Sequence, residues 1–144
     1  MTSIQEFMTQ HHKQCDDLLV DAEGAIAAND WTEFALGWNA FEKETLHHFE
    51  LEEQVLFPEF EAQTGMVGGP TNVMRQEHSQ IRAMFEQMQQ AIAEQNQERA
   101  IGVIESTMLF IQQHNMKEEQ ILYPMSDNRL NNGEELVARM KSQS

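Results

Sequence analysis

His48 and Glu52 stand four residues apart, and so do His114 and Glu118. At that spacing both side chains of a pair leave one face of a helix, one turn above the other. An imidazole nitrogen and a carboxylate oxygen offered side by side are ligands for a single cation. Each pair opens a longer string, His48-Phe-Glu-Leu-Glu52-Glu53-Gln-Val-Leu-Phe-Pro58 and His114-Asn-Met-Lys-Glu118-Glu119-Gln-Ile-Leu-Tyr-Pro124, and the two strings lie 66 residues apart. Two such faces, on two helices, could hold a pair of metals between them.

The repeat runs beyond the motif. The 66-residue offset sets His78 on His12, Met74 on Met8, Ile81 on Cys15, Phe85 on Leu19 and Ile92 on Ile26. The interval from His12 to His48 is 36 residues, the same as from His78 to His114. The chain therefore reads as two copies of one helical hairpin. His11 and His12 both border the inner stripe, but only His12 has a histidine as its counterpart. The candidate metal ligands are His12, His48, Glu52, His78, His114 and Glu118: one histidine from each helix and one carboxylate from each repeat. A lone histidine on an apolar stripe is ordinarily a satisfied core residue. Four at matched spacing, two of them with a partner carboxylate, point to metal. Nitrogen and oxygen ligands without thiolate suit iron or manganese, whereas zinc usually stops at four ligands. With both carboxylates bridging, each metal would keep room for an oxo or hydroxo bridge and an exogenous ligand.

The elements that must position these residues are helices. Apolar residues recur at helical spacing at Met8, Cys15, Leu19, Ala22 and Ile26, with His12 filling the gap. Asp30 or Thr32 can cap a second helix with Phe34, Trp38, Phe41, Thr45, His48, Glu52 and Val55 inward. Proline removes a backbone bond, so this helix should kink or end near Pro58 and the fourth should weaken near Pro124. A breaker-rich loop spans Thr64 to Pro70. The third helix turns Met74, His78, Ile81, Phe85, Met88 and Ile92 inward. The fourth turns in Ala100, Ile104, Thr107, Ile111, His114, Glu118 and Ile121. A short segment from Glu134 to Met140 suggests a docking helix. The expected architecture is all-α, an up-down-up-down four-helix bundle with a short C-terminal helix, forming one domain over residues 1–144.

Composition narrows the partners. A formal net charge of −15 argues against nucleic acid and against anionic membrane surfaces. No apolar run of about eighteen residues is present, so no membrane span is expected. The N-terminus lacks a signal peptide's basic-then-apolar layout, and a single cysteine, Cys15, gives no internal disulfide. The expected location is the cytoplasm.

The string His48-Phe-x-x-Glu52-Glu-x-x-Leu-Phe-Pro58, its copy at His114 and the single helix histidines resemble the hemerythrin-like (HHE cation-binding) family. The resemblance runs from about His11 to Pro124. It implies a four-helix bundle holding two iron ions as a non-haem pair, with His12, His48, Glu52, His78, His114 and Glu118 at the matching positions. Oxygen-carrying hemerythrins have a second histidine four residues after the third-helix one, where this chain has Arg82. Their fourth-helix carboxylate lies five residues after its histidine, a spacing that Glu119 would match and Glu118 does not. Four histidines and two glutamates are closer to the bacterial members that respond to nitrosative stress and repair iron centres. The resemblance implies a small diatomic or peroxide ligand (oxygen, nitric oxide or peroxide). A metal buffer or store without turnover, or a metal that only staples the helices, are the competing readings.

Glu53 and Glu119 read as solvated or supporting carboxylates behind the ligands, and His11 and His47 as surface or supporting residues. Cys15 reads as a small buried core residue or as a thiol near the metals. Asp16 and Arg82, related by the offset, either flank the site and pair with each other or are exposed. Tyr123 reads as a core residue capping its turn.

Overall fold

The computed structural model describes residues 2–143, all helix and connections with no strand among them. Helix α1 (Ile4–Ala27) opens on a capping box in which Ser3 accepts from the Glu6 N–H and the Glu6 side chain accepts in return. Asp30 caps α2 (Trp31–Leu51) by accepting from the Glu33 N–H. That helix passes through a π turn, π1 (Glu52–Leu56), into α3 (Phe57–Thr64), and stops at Gly65, whose φ of 74° suits a residue without a Cβ. Helix α4 (Pro70–Glu94) and helix α5 (Gln97–Lys117), capped by Asn96, form the second hairpin. A second π turn, π2 (Glu118–Leu122), leads into α6 (Tyr123–Arg129), and α7 (Gly133–Ser142) closes the chain. Short connections make sequential helices antiparallel, and contacts close the ring α1–α2–α4–α5 into the expected four-helix bundle.

Neither proline ends its helix. In each π turn the N–H of the residue before proline, Phe57 or Tyr123, donates five residues back, to the carbonyl of Glu52 or Glu118. The widened turn loosens the ladder where proline has no N–H to give and where its ring would meet the carbonyl four back. The extra residue also advances the buried face. After Glu118 it is Leu122 and Tyr123 that turn inward, and Ile121, expected inside, is 55 % exposed. Its counterpart Val55 is buried in the core that α7 completes with Leu136, Val137 and Met140.

The interior is divided. One apolar core, around Ala22, Ile26, Trp38, Phe85 and Ala100, fills the end of the bundle bearing the two hairpin turns. A second, around Ile4, Met8, Phe57, Phe60 and Tyr123, fills the other end beneath α7. Between Met8 and Cys15, between Met74 and Ile81, and beyond Ile111, the stripe changes from hydrocarbon to His12, His78 and His114. A polar layer thus separates two apolar ones.

Candidate metal centre

All six candidate residues lie in that layer and all are buried, with Glu52 and Glu118 at 0 % exposure. Each helix supplies its histidine from the inner stripe, and the π turns begin at the two glutamates. Donor atoms of Glu52, His78, His114 and Glu118 come within 4.8 Å of one another, and those of His12, His48 and Glu118 do the same. The two groups abut through the carboxylates. Glu52 Oε1 lies 3.1 Å from His78 Nε2, and Glu118 Oε1 lies 3.1 Å from His12 Nε2 and 3.3 Å from His114 Nε2. Glu52 Oε1, His78 Nε2, His114 Nε2 and Glu118 Oε2 are buried without any hydrogen-bond partner. Orphaned polar atoms of this kind cost about 1–3 kcal/mol each, more when charged. Four of them, one from each member of a single group, are donors that a cation would satisfy.

Behind the layer, every candidate histidine is oriented through its other ring nitrogen. Nδ1 of His12 donates to Glu119 at 2.7 Å, Nδ1 of His78 to Glu53 at 2.6 Å, and Nδ1 of His114 to Glu77 at 2.8 Å. Glu53 and Glu119 are therefore supports that reach across from one repeat to the other, and Glu119, at 33 % side-chain exposure, points away from the centre. His48 differs. Its Nδ1 lies 2.9 Å from Nδ1 of His11, whose Nε2 lies 2.6 Å from Glu44 Oε1. If the carboxylate accepts from His11 Nε2–H, the Nδ1 lone pair of His11 accepts from His48, which frees His48 Nε2 to face inward. His11 is thus a buried supporting residue. Arg82 holds Glu53 through two bonds of 3.0 and 3.1 Å, so of the arrangements open to it the structure shows a flanking one whose partner is Glu53 and not Asp16.

Protonation follows from these contacts. Burial alone would lower His12, but hydrogen bonds to Glu118 and Glu119 outweigh it and raise it to about 10. In the same way Glu52 and Glu53 overcome burial at His78 and raise it to about 9. At His114, Glu118 overcomes burial and shifts the ring upward. Burial prevails at His48, helped by the charge of His12, and lowers it to about 4. Glu52, despite burial, is held well below the usual carboxylate range by His48, Glu118 and His78. A cation entering the layer must displace the protons that these imidazoles hold, so its binding should weaken as pH falls.

Two features were not visible in the residue pattern. Tyr123, expected to cap a turn, sends its hydroxyl into the layer, 2.7 Å from Glu52 Oε2 and 3.0 Å from Glu118 Oε1. A signal for it existed: its counterpart in the first repeat is Phe57, so one copy has an oxygen that the other lacks. The second is a cavity of about 10 Å³, room for one water-sized molecule, walled by His12, Cys15, Thr45, His48, Phe49 and His114 among others. Burial raises the Cys15 thiol to about 12, so it faces that cavity as a neutral group.

The hemerythrin HHE cation-binding domain matches residues 3–142. The chain belongs to that family. No curated protein and no solved structure matches it. An HHE domain binds metal cations, and the buried His/Glu layer of this one fits that role by its donor set and its orphaned atoms. Within this HHE domain no helix is long and apolar enough to cross a membrane, among the described residues.

Proposed function

We propose that the protein is a non-haem di-iron protein that handles a small ligand, oxygen, nitric oxide or peroxide, in sensing, detoxification or iron-centre repair. The observation that carries this reading is the pair of abutting donor groups that share the fully buried Glu118, with the fully buried Glu52 in one group and 3.6 Å from His48 of the other. His78 and His114 would hold one metal and His12 and His48 the other, with Glu52 and Glu118 offering carboxylate oxygens between them. Imidazole and carboxylate without thiolate favour iron or manganese over metals that prefer sulfur. When bound, the iron pair supplies redox change and open coordination positions.

The chain's own groups do the rest. Glu53, Glu77 and Glu119 fix three imidazoles with Nε2 inward, and His11 with Glu44 fixes the fourth. Phe49 stacks on His78 with ring centroids 3.8 Å apart, closing that side to water. The small cavity beside His12, His48 and His114 has room for one water-sized molecule and excludes organic substrates.

Iron analysis with optical spectra before and after oxygen tests the reading. The expected result is about two irons per chain and the charge-transfer absorption of a bridged ferric pair. Less than one iron per chain after reconstitution, with no such absorption, overturns it. Reversible oxygen binding, or consumption of peroxide or nitric oxide, excludes the competing reading of a store without turnover.

A further inference from the structure

Tyr123 is the chain's only tyrosine. It is fully buried, and its hydroxyl oxygen meets four heteroatoms at once: Glu52 Oε2 at 2.7 Å, Glu118 Oε1 at 3.0 Å, and Nε2 of both His12 and His48 at 3.2 Å. A phenol has one proton to donate. It can give that proton to one carboxylate oxygen, and the second carboxylate oxygen then faces the phenol lone pair to lone pair. A hydroxyl buried merely to be satisfied has no reason to sit among two acceptors and two imidazoles.

The spacing has another meaning. Around a six-coordinate cation with bonds of about 2.1 Å, neighbouring ligand atoms stand about 3.0 Å apart. The tyrosine oxygen stands near that distance from all four atoms, as a further ligand of the same cation would. In the other repeat the same position is Phe57, which has no oxygen to offer and lies against His78 with ring centroids 5.8 Å apart.

We propose that Tyr123 Oη is a fifth protein ligand to the metal held by His12, His48, Glu52 and Glu118. The two metals are then unequal. The one between His78 and His114 has four protein donors and is the less saturated, and it meets the small cavity through His114. This inference rests on the di-iron reading above. Phenolate oxygen is an established type of iron ligand. On binding, the O–H bond is replaced by an O–metal bond and the proton leaves to solvent.

The test is visible absorption and resonance Raman spectroscopy of the iron-loaded, oxidised protein, with iron counted per chain. The expected result is a phenolate-to-ferric band whose Raman modes shift when the chain carries ring-deuterated tyrosine. Because there is a single tyrosine, the label assigns the signal without any mutation. Tyr123→Phe, which keeps the ring and removes only the oxygen, should bind iron and lose the band entirely. An iron-loaded wild-type chain without a phenolate band, or a band unmoved by the label, overturns the coordination by Tyr123 and leaves the di-iron reading standing. A wild-type chain that takes up less than one iron overturns both.

Discussion

Superposed by their 66-residue offset, the two hairpins agree at each candidate ligand and part company at the atoms beside and behind them. Position 123 is tyrosine where position 57 is phenylalanine. Behind His114 stands Glu77, itself held by Lys117; the counterpart of Glu77 is His11, which stands behind His48 and is backed by Glu44. Arg82 clamps the support of His78, whereas its counterpart Asp16 lies beside His12 and Glu119, where burial and the charge of Glu119 raise it against the pull of His12. The matched positions form the buried donor layer. On the di-iron reading, the unmatched ones would decide how alike the two cations can be. The histidines show the same split: His12 and His78 are both raised, while His48 is lowered and its counterpart His114 is raised.

The largest effect should come from removing what both halves share. Chelating the metal leaves the buried carboxylates and imidazoles facing one another. At a thousandfold excess over Kd a bound ligand stabilises by about 4 kcal/mol per site, which for a chain of this size is on the order of 10–15 °C in Tm. Calorimetry of metal-free and loaded protein checks this, and unchanged melting would mean that the layer holds no tightly bound metal.

Next in size is the pH response of the metal-free protein. His12 and His78 keep their protons up to about 10 and about 9 when folded, against 6.5 ordinarily. The folded state therefore binds more protons than the unfolded one above pH 6.5, and the stability these groups contribute is lost as pH rises toward 9–10. A fall on the order of 2 kcal/mol for each of the two histidines between pH 7 and 9 is expected from denaturant titrations. His48, lowered to about 4, acts with the opposite sign, contributing above pH 6.5 and failing as pH drops toward 4. A curve flat from pH 5 to 9 would remove the electrostatic difference between the histidine pairs.

Glu77→Gln should weaken metal binding by about 10–100-fold, the usual cost of losing a carboxylate behind a ligating histidine. His11→Glu gives the first repeat the residue of the second, and its effect on affinity should stay within about tenfold. Metal competition titrations compare them; a loss at His11→Glu as large as at Glu77→Gln would show that the supports in the two repeats are not interchangeable. The smallest effect is Arg82→Ala. This partly exposed pair should contribute no more than about 1 kcal/mol. Yet the carboxyl of Glu53, held at about 2 against burial by His78 and Arg82, should titrate measurably higher by NMR.

Much of this was legible in the residues. The doubled His/Glu spacing located the candidate ligands, and the offset selected His12 over His11 without any coordinates. The bundle followed from stripes at helical period separated by short polar turns. What stayed hidden depended on register or on contacts between distant segments. Helical periodicity cannot say which repeat a later helix will cover, so Ile121 read as buried although α7 packs over its counterpart Val55. Proline reads as a stop, because nothing local announces that the preceding turn has been widened to admit it. The bonds from Glu77 to His114 and from His11 to His48 join side chains 37 residues apart, and no spacing rule within one helix reveals them.

The π turns carry a history as well as a geometry. Each is an α-helix with one residue inserted, and the two insertions fall at equivalent places, Glu52–Leu56 and Glu118–Leu122. One insertion in an ancestral hairpin, copied when the hairpin doubled, accounts for both. Each hairpin carries two histidines and a glutamate on its inner face. Two identical hairpins would build this layer with perfect symmetry. Joined in one chain, each half is free to differ, and it does so at tyrosine against phenylalanine and at histidine against glutamate.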